Sequence, residues 1–249
     1  MNYITVLGYP EHPDYAKYWP AQVQLIGKDI IRFHALIWPA MLIGLSQPVE
    51  QNLVVHGFIS SGGQKMSKTL GNVIDPLEMV DTYGLDALRY YLARHIPSQD
   101  DGDFTLERFE AVYNGELANE LGNAVSRVAA MITRYQEGVI GDVKLEIHDS
   151  EDYHEALEAF KFDRALEFVW SRIQELNRYL EVEKPWELAK TDKDHLKDVL
   201  GYSAGSLLEI ADLLEPFMPA ASLKIRTTFE TGVVVPLGGP LFPRIEKQA

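Results

Sequence analysis

The sequence predicts an α/β segment, part of a parallel sheet, followed by an all-α helix bundle. Near the start, two apolar strand patterns flank one helical pattern, which is the arrangement of a crossover between parallel strands. From Thr105 onward, apolar residues recur at spacings of three and four, the period of packed helices. A chain of 249 residues is long enough to bury a sizeable core.

The parallel sheet is predicted from residues 1–60. Residues 23–26 form a strand, residues 30–45 a helix and residues 53–55 the next strand. Ligands of such sheets bind beyond the carboxyl ends of the strands, where Gly27 and Asp29 lie. Glycine lets a ligand approach the backbone, and the carboxylate suits ribose hydroxyls. Asp29 alone is explained equally well as the N-cap of the next helix.

Two lysines three residues apart, Lys65 and Lys68, follow a strand pattern over 54–60 and a turn signal over 61–63. A second short strand is expected to bring Lys65 into the loop. Two mobile ammonium groups suit a phosphate chain whose charge grows as a bond breaks, and the Ser67 hydroxyl can assist. For the lysine spacing alone, a surface hairpin with solvated side chains is the commoner explanation.

The wider string Lys65-Met66-Ser67-Lys68-Thr69 resembles the Lys-Met-Ser-Lys-Ser signature of class I aminoacyl-tRNA synthetases, with threonine for the last serine. The string GKDIIRFH at 27–34, followed by Trp-Pro-Ala at 38–40, resembles the methionyl-tRNA synthetases in particular. The resemblance runs across nearly the whole chain. It implies the second half of a Rossmann-type sheet, a helical anticodon-binding domain, and attachment of methionine to its tRNA through methionyl-adenylate.

The resemblance also implies roles for individual residues. Lys65 and Lys68 would be catalytic. The residues that would bind ATP are Gly27, Asp29, Lys65, Ser67 and Lys68. Those that would line the methionine pocket are Tyr3, Ile30, His34 and Trp38. Aromatic faces receive a soft thioether well. Without the resemblance, His34 and Trp38 fit a core aromatic stripe with one satisfied histidine.

Between the loop and the bundle, the sequence predicts two helices and a break. The run Asp-Pro-Leu-Glu at 75–78 has the residues of a helix start. The second helix, which is predicted to start at Asp86, is expected to direct Leu92 inward and Arg89 and Arg94 outward. The polar, glycine-containing segment 98–103 is interpreted as a domain boundary.

Four units are therefore predicted. They are 1–60, the last part of the nucleotide-binding catalytic domain; 61–103, a connector with the lysine loop; 104–230, the helical anticodon-binding domain; and 231–249, an extended tail.

Three residues of the helical region are predicted to read the anticodon. Asn123 and Arg127 lie four apart beside an apolar stripe, and Trp186 follows Pro185 at a helix start, where an indole stays partly exposed. A solvated helix face and a core tryptophan are the ordinary alternatives. The resemblance implies stacking on Trp186 and hydrogen bonds from Asn123 and Arg127, the usual way of reading single-stranded RNA loops.

Composition limits the remaining possibilities. The net charge of −14, from 23 basic and 37 acidic residues, argues against RNA binding by bulk attraction and leaves recognition by placed groups. The chain has no cysteine, and no metal site, zinc included, is expected; Mg²⁺ is expected only with ATP. We expect a cytoplasmic protein without a membrane partner, since neither a signal peptide nor a long apolar run is found.

The His-Ile-Gly-His sequence that accompanies the lysine signature in class I synthetases is not found in the chain. The resemblance therefore covers a C-terminal half, and we expect the isolated chain to be inactive. A fragment, a split subunit that needs an N-terminal partner and a truncated frame remain open. So does a tRNA-binding module without catalysis. A synthetase for leucine, isoleucine or valine is disfavoured by residues 27–40 and by Pro185-Trp186.

Overall fold

The structure, a computed structural model, describes residues 2–50, 52–141 and 150–246. Residues 142–149 of the predicted helical domain and 247–249 of the predicted tail lie outside the described residues. The α-helices are α1 (Asn2–Thr5), α2 (Pro13–Tyr18), α3 (Trp38–Gly44), α4 (Pro76–Tyr83), α5 (Leu85–His95), α6 (Leu106–Val112), α7 (Asn123–Gln136), α8 (Glu151–Glu158), α9 (Phe162–Glu183), α10 (Pro185–Thr191), α11 (Lys193–Leu214) and α12 (Pro219–Phe229). The strands are β1 (Val23–Gly27), β2 (Asn52–His56), β3 (Ile59–Ser61), β4 (Gln64–Lys65) and β5 (Gly102–Asp103).

The crossover between parallel strands is confirmed. β1 and β2 pair in parallel, with Val23 opposite Asn52 and Gly27 opposite His56. α3 lies between them in the chain, as the sequence pattern predicted. The carboxyl ends of both strands therefore meet at Gly27 and His56.

The connection from β1 to α3 is not the continuous α-helix that was predicted over 30–45. It consists of a 3₁₀ turn, Lys28–Ile30, then a π-helical turn, Phe33–Ile37, and only then α3. Pro39 explains the widening, because it has no N–H and its ring would clash with the carbonyl one α-turn earlier. In the wider turn the Trp38 N–H bonds to the carbonyl of Phe33 instead.

The strand predicted over 54–60 is two strands in two different sheets. β2 ends at His56, and β3 pairs with β4 on one side and β5 on the other. The break lies at Gly57, where an added Cβ would lie 2.2 Å from the carbonyl carbon and oxygen of Asp100. The chain must separate here because the segment before β5 passes directly against it.

The helices share one large core, and the predicted apolar seams are confirmed. Leu121, Val125, Ile173 and Leu207 are fully buried. The same core extends before residue 103, since Tyr91 of α5 packs its ring 4.9 Å from Phe104 and 5.3 Å from Phe109. The predicted domain limits remain predictions.

The outward direction predicted for the arginines of α5 is confirmed for Arg89, which is exposed, and wrong for Arg94, which is partly buried. Arg89 donates from Nε to the carbonyl of Phe217 at 2.8 Å, and Arg94 donates to the carbonyl of Leu166 at 3.1 Å. Arg89 thereby binds carbonyls in the turn between α11 and α12, where helix ends leave such groups without helical partners, and Arg94 reaches a carbonyl within α9. Leu92, predicted inward, is 37% exposed.

Asp86, at the other end of α5, is buried and binds the bundle too. Its Oδ2 accepts a hydrogen bond from the N–H of Ala221, in the first turn of α12, at 2.6 Å. A carboxylate at that position satisfies an amide that has no partner within its helix and complements the helix dipole. α5 is therefore fixed to the bundle along its whole length.

A partly buried carboxylate, Glu116, joins α5 to the π-helical segment Tyr113–Gly122. It accepts hydrogen bonds from the Tyr90 hydroxyl and from His95 Nε2, and Arg94 Nε lies 3.6 Å away. Burial alone would raise the pKa of Glu116, but the hydrogen bonds and the nearby charge hold it below its ordinary value. Burial and the same carboxylate raise the pKa of Tyr90.

The described part of the tail packs back on the helices, as expected. Val233 bridges to Val139, and Phe242 is buried in the large core. Ile245 exchanges two hydrogen bonds with the amide of Asn114, at 2.9 and 3.0 Å.

Candidate functional site

The two lysines of the predicted loop lie at the end of a short hairpin. β3 and β4 are antiparallel, with Ser60 opposite Lys65. Gly62 and Gly63 make the turn at φ values of +61° and +72°, where other residues are strained. The second short strand is therefore confirmed, and it ends at Lys65.

Met66 stands between the two lysines and is held by the large core. Its side chain is partly buried there, whereas Lys65 and Lys68 are exposed. An anchored residue between two exposed cations fixes where the loop lies and leaves the ammonium groups able to move. Such a pair suits a ligand with several negative charges close together.

Asn72 holds the lysine loop from behind, a role that the sequence reasoning missed. Its Oδ1 accepts from the N–H of Ser67 at 2.8 Å, and its Nδ2 donates to the carbonyl of Lys65 at 3.3 Å. The Ser67 hydroxyl accepts from the N–H of Thr69 at 3.3 Å. Ser67 therefore contributes to the shape of the loop. An asparagine just after a loop is a known signal for such side-chain-to-backbone bonds.

Asp101, in the segment interpreted as a boundary, connects the hairpin side to the end of β1. Its carboxylate contacts Lys28 Nζ at 2.6 Å and accepts from the N–H of Phe58 at 2.8 Å. The Lys28 hydrogen bond, followed by that of Phe58, lowers the pKa of Asp101. Lys28 lies between Gly27 and Asp29, the two residues predicted for ATP binding at this strand end. The ion pair therefore holds the backbone around them in place.

Gly27 and Asp29 lie together at the carboxyl end of β1. A Cβ on Gly27 would lie 2.8 Å from Asp29 Oδ1 and 3.7 Å from the ring of His56, so a larger residue would displace the Asp29 carboxylate. Asp29 lies in the 3₁₀ turn and is exposed, and Gly27, not Asp29, occupies the N-cap. The contact with adenosine remains a prediction.

Three of the four residues predicted for the methionine pocket are in contact. The Tyr3 ring lies 5.8 Å from both His34 and Trp38. His34 Nδ1 bonds to the carbonyl of Ile30 at 3.0 Å, which makes Nδ1 the donor and leaves Nε2 to accept from the Tyr3 hydroxyl at 2.9 Å. Ile30 is thereby tied to the same cluster.

The pocket residues also form part of a small core. Trp38 is 5% exposed and packs its ring 5.9 Å from Trp19, which the sequence reasoning did not select. Ile4 and Leu42 complete this core. Tyr3 and Ile30, at 46% and 37% exposed, are the members that an incoming apolar ligand would meet first. Their role in methionine binding remains a prediction.

The residues predicted to read the anticodon lie on one face of the bundle. The Arg127 guanidinium lies 5.8 Å from the centre of the Trp186 ring and donates to Glu181 at 2.8 Å. Asn123 is exposed one turn earlier on α7. Trp186 is partly exposed at the start of α10, as predicted for an indole after Pro185.

A basic cavity lies two turns beyond Arg127 on the same helix. It has a volume of about 430 Å³ and is lined by Arg134, Lys193 and Lys197 among others. In a chain with a net charge of −14, this is a local concentration of positive charge. The sequence reasoning missed it, because its lysines lie on α11, some 60 residues away.

Two searches of the described residues bear on the class of protein. Within the parts of the chain that the structure describes, no helix is long and apolar enough to cross a membrane. Over the same residues, no cluster of three or more histidine, aspartate or glutamate side chains is placed to hold a metal ion.

Comparison with known proteins places this fold and its lysine loop among the tRNA synthetases. Residues 1–129 match the family of class I tRNA synthetases of the M type, and the chain belongs to that family. Residues 128–234 match the anticodon binding domain of methionyl tRNA ligase.

Individual relatives agree with the family. The chain is 38% identical to the methionine–tRNA ligase of Bacillus subtilis and 40% identical to that of Enterococcus faecalis, over 100% and 98% of its length. It covers 42% of each relative, so the chain spans about two fifths of their length. The structure of Mycobacterium tuberculosis methionyl-tRNA synthetase in complex with methionyl-adenylate superposes with a TM-score of 0.87 at 30% identity, covering 98% of this chain and 54% of that one.

Proposed function

We propose that this chain supplies the lysine loop and the tRNA-binding bundle of a methionine–tRNA ligase. The reaction joins methionine to ATP, giving methionyl-adenylate and pyrophosphate, and then transfers methionine to its tRNA. The family match and the exposed pair Lys65 and Lys68, held on either side of the anchored Met66, support this proposal.

The lysines act on charge that develops during the first step. A methionine carboxylate oxygen forms a bond to the α-phosphorus of ATP while the bond to the pyrophosphate oxygen breaks. Negative charge grows on the leaving pyrophosphate, and the Lys65 and Lys68 ammonium groups stabilise it there. Positioning and electrostatics suffice, and no covalent enzyme intermediate is needed.

The other predicted residues hold the substrates. Gly27 and Asp29 contact the adenosine, and Ser67 shapes the loop over the phosphates. Tyr3, Ile30, His34 and Trp38 receive the methionine side chain. Mg²⁺ enters with ATP as part of that substrate. Among the described residues, no cluster of side chains is placed to hold it.

Catalysis requires a further polypeptide that completes the sheet. Among the described residues, β1 and β2 form a sheet of two strands, and apolar side chains on and after β1 are exposed: Leu25 at 67%, Phe33 at 57% and Leu36 at 64%. Apolar surface of this extent beside unpaired strand edges is a site for further packing. We take its occupant to be the N-terminal half of the same enzyme, in the cytoplasm.

The test is methionine-dependent exchange of pyrophosphate into ATP. It is measured for the chain alone and with a separately produced N-terminal half from a relative such as the B. subtilis ligase. Exchange only in the mixture would support the proposal. Exchange that is absent from the mixture, although both halves are folded, would contradict it.

A second candidate function is tRNA binding without catalysis. The bundle has its own large core, and the pair Arg127 and Trp186 lies outside the lysine loop, so RNA binding does not depend on a complete sheet. Binding of methionine tRNA by the chain alone, with no exchange in any mixture, would favour this function and make Lys65 and Lys68 remnants.

A further inference from the structure

Asp103 binds the turn of the hairpin that carries the lysines. Its Oδ1 accepts from the N–H of Gly63 at 2.8 Å and from the Ser60 hydroxyl at 2.7 Å. The Gly63 N–H first, and the Ser60 hydroxyl second, lower the pKa of Asp103, so the side chain acts as an ionised acceptor. Ser60 lies on β3 just before the turn and Gly63 lies in the turn itself, which sets the register of β4.

The backbone around Asp103 pairs with the same hairpin. The N–H of Gly102 donates to the carbonyl of Phe58, and the N–H of Phe104 donates to the carbonyl of Ser60, both at 2.9 Å. β5 is therefore a third, parallel strand beside β3. The carboxylate and the backbone of one short segment hold the hairpin from one side.

Phe104 anchors this segment in the large core. It is 2% exposed, and its ring lies 4.9 Å from that of Tyr91 and 5.7 Å from that of Phe109. Two adjacent residues therefore make contacts on different sides: Phe104 packs against the helices, and Asp103 binds the hairpin turn. The place of the hairpin relative to the bundle depends on this pair.

We propose that Asp103 is a positioning residue for Lys65 and Lys68, an inference that rests on the proposed function. The carboxylate does not touch substrate. It holds Ser60, which pairs with Lys65 across the hairpin, and Gly63, which closes the turn before it. Without these bonds the hairpin still forms, but the ammonium groups sample positions away from the leaving pyrophosphate. Transition-state stabilisation falls steeply with such misplacement.

The first experiment uses the chain alone, because the lysines are themselves cleavage sites for trypsin. Asp103→Ala should speed cleavage after Lys65 and Lys68 by about threefold or more, because local opening precedes cleavage. Asp103→Asn keeps Oδ1 and should have a smaller effect, and Asp100→Ala is the matched control. Unchanged cleavage rates in Asp103→Ala would overturn the proposal.

The second experiment uses the chain complemented by an N-terminal half. Asp103→Ala should lower kcat for adenylate formation about tenfold, with little change in the KM for methionine and in Tm. Added to a variant that lacks both lysines, Lys65→Ala with Lys68→Ala, it should cost little more, because it acts through those lysines. Full additivity would overturn the positioning role. Absence of exchange in the unaltered mixture would contradict the proposed function instead. The tryptic cleavage rates would still test whether Asp103 holds the hairpin.

Discussion

The guanidinium of Arg127 is held between the Trp186 ring, 5.8 Å from its centre, and the carboxylate of Glu181, at 2.8 Å. An aromatic face and an anion restrict an arginine side chain from two directions. The pair is therefore ordered before any RNA arrives, and less conformational entropy is lost on binding.

Trp186→Ala should weaken binding of methionine tRNA by about tenfold to a hundredfold, since a stacked base contributes about 1–3 kcal/mol. Trp186→Phe should retain most of the affinity because it keeps an aromatic face. Fluorescence anisotropy at fixed salt measures both, with Leu223→Ala on exposed α12 surface as the control. Wild-type affinity in Trp186→Ala would refute the assignment to the anticodon.

Lys68→Ala, in the complemented enzyme, should lower the rate constant of adenylate formation about a hundredfold, the usual effect of removing one transition-state contact. The methionine affinity should stay the same, because the role proposed for the ammonium group is at the phosphates. Pre-steady-state measurement of adenylate formation separates the two quantities. Lys224→Ala, on α12, is the control, and an unchanged rate in Lys68→Ala would remove the catalytic role.

Glu116→Gln should lower the free energy of unfolding by about 1.5–3 kcal/mol, because charge-assisted hydrogen bonds become neutral ones. The folded pKa of Glu116 lies below its ordinary value of 4.5. Its contribution is therefore complete above that pH and is lost as the pH falls through the folded pKa.

Urea denaturation at pH 7 and at about pH 3 to 4 tests this expectation, with the exposed Glu167→Gln as the control. The free energies of unfolding of Glu116→Gln and of the unaltered chain should differ at neutral pH and converge in acid. A difference that grows in acid would contradict the assigned sign.

Gly57→Ala should destabilise the junction of β2 and β3 by about 1–3 kcal/mol, because a methyl group there meets backbone that cannot move aside. Gly44→Ala is the matched control. Among the described residues, nothing lies within 4 Å of its added Cβ, and alanine suits the end of α3 better than glycine. Thermal unfolding compares the two, and equal Tm values would disprove the close approach.

The bundle was the part of the fold that sequence could predict. Its seams depend on periodicity, which is local, and residues such as Leu121 and Ile173 are buried as their spacing requires. The helix start at Asp75 is equally local, since its side chain accepts from the N–H of Leu77 two residues on.

The irregular helix before α3 was predictable only in hindsight. Pro39 signalled that an α-helix could not continue unchanged, but not that a π turn would replace it. The direction of Arg89 and Arg94 depends on carbonyls more than 70 residues away. Helical period cannot reveal those acceptors.

The candidate site divides in the same way. Lys65, Lys68 and Trp186 stand in recognisable strings. Asp101 and Asp103 bind Lys28, Phe58, Ser60 and Gly63, 40 or more residues away, so the polar segment that was interpreted as a boundary also contacts the hairpin. Charged residues in a glycine-containing stretch give no sign of this until the fold brings them to the hairpin.

The attachment of α5 has a geometric consequence. Asp86 binds α12, and Arg94 binds α9, so α5 cannot rotate against the bundle without breaking bonds at both ends. Tyr91 of the same helix packs on Phe104, next to Asp103, so α5 also limits how far the hairpin can shift relative to Trp186. Under the proposed function, α5 therefore sets the distance between an RNA loop bound on the bundle and the lysines. Only an RNA of matching length would bring its far end to Lys65 and Lys68.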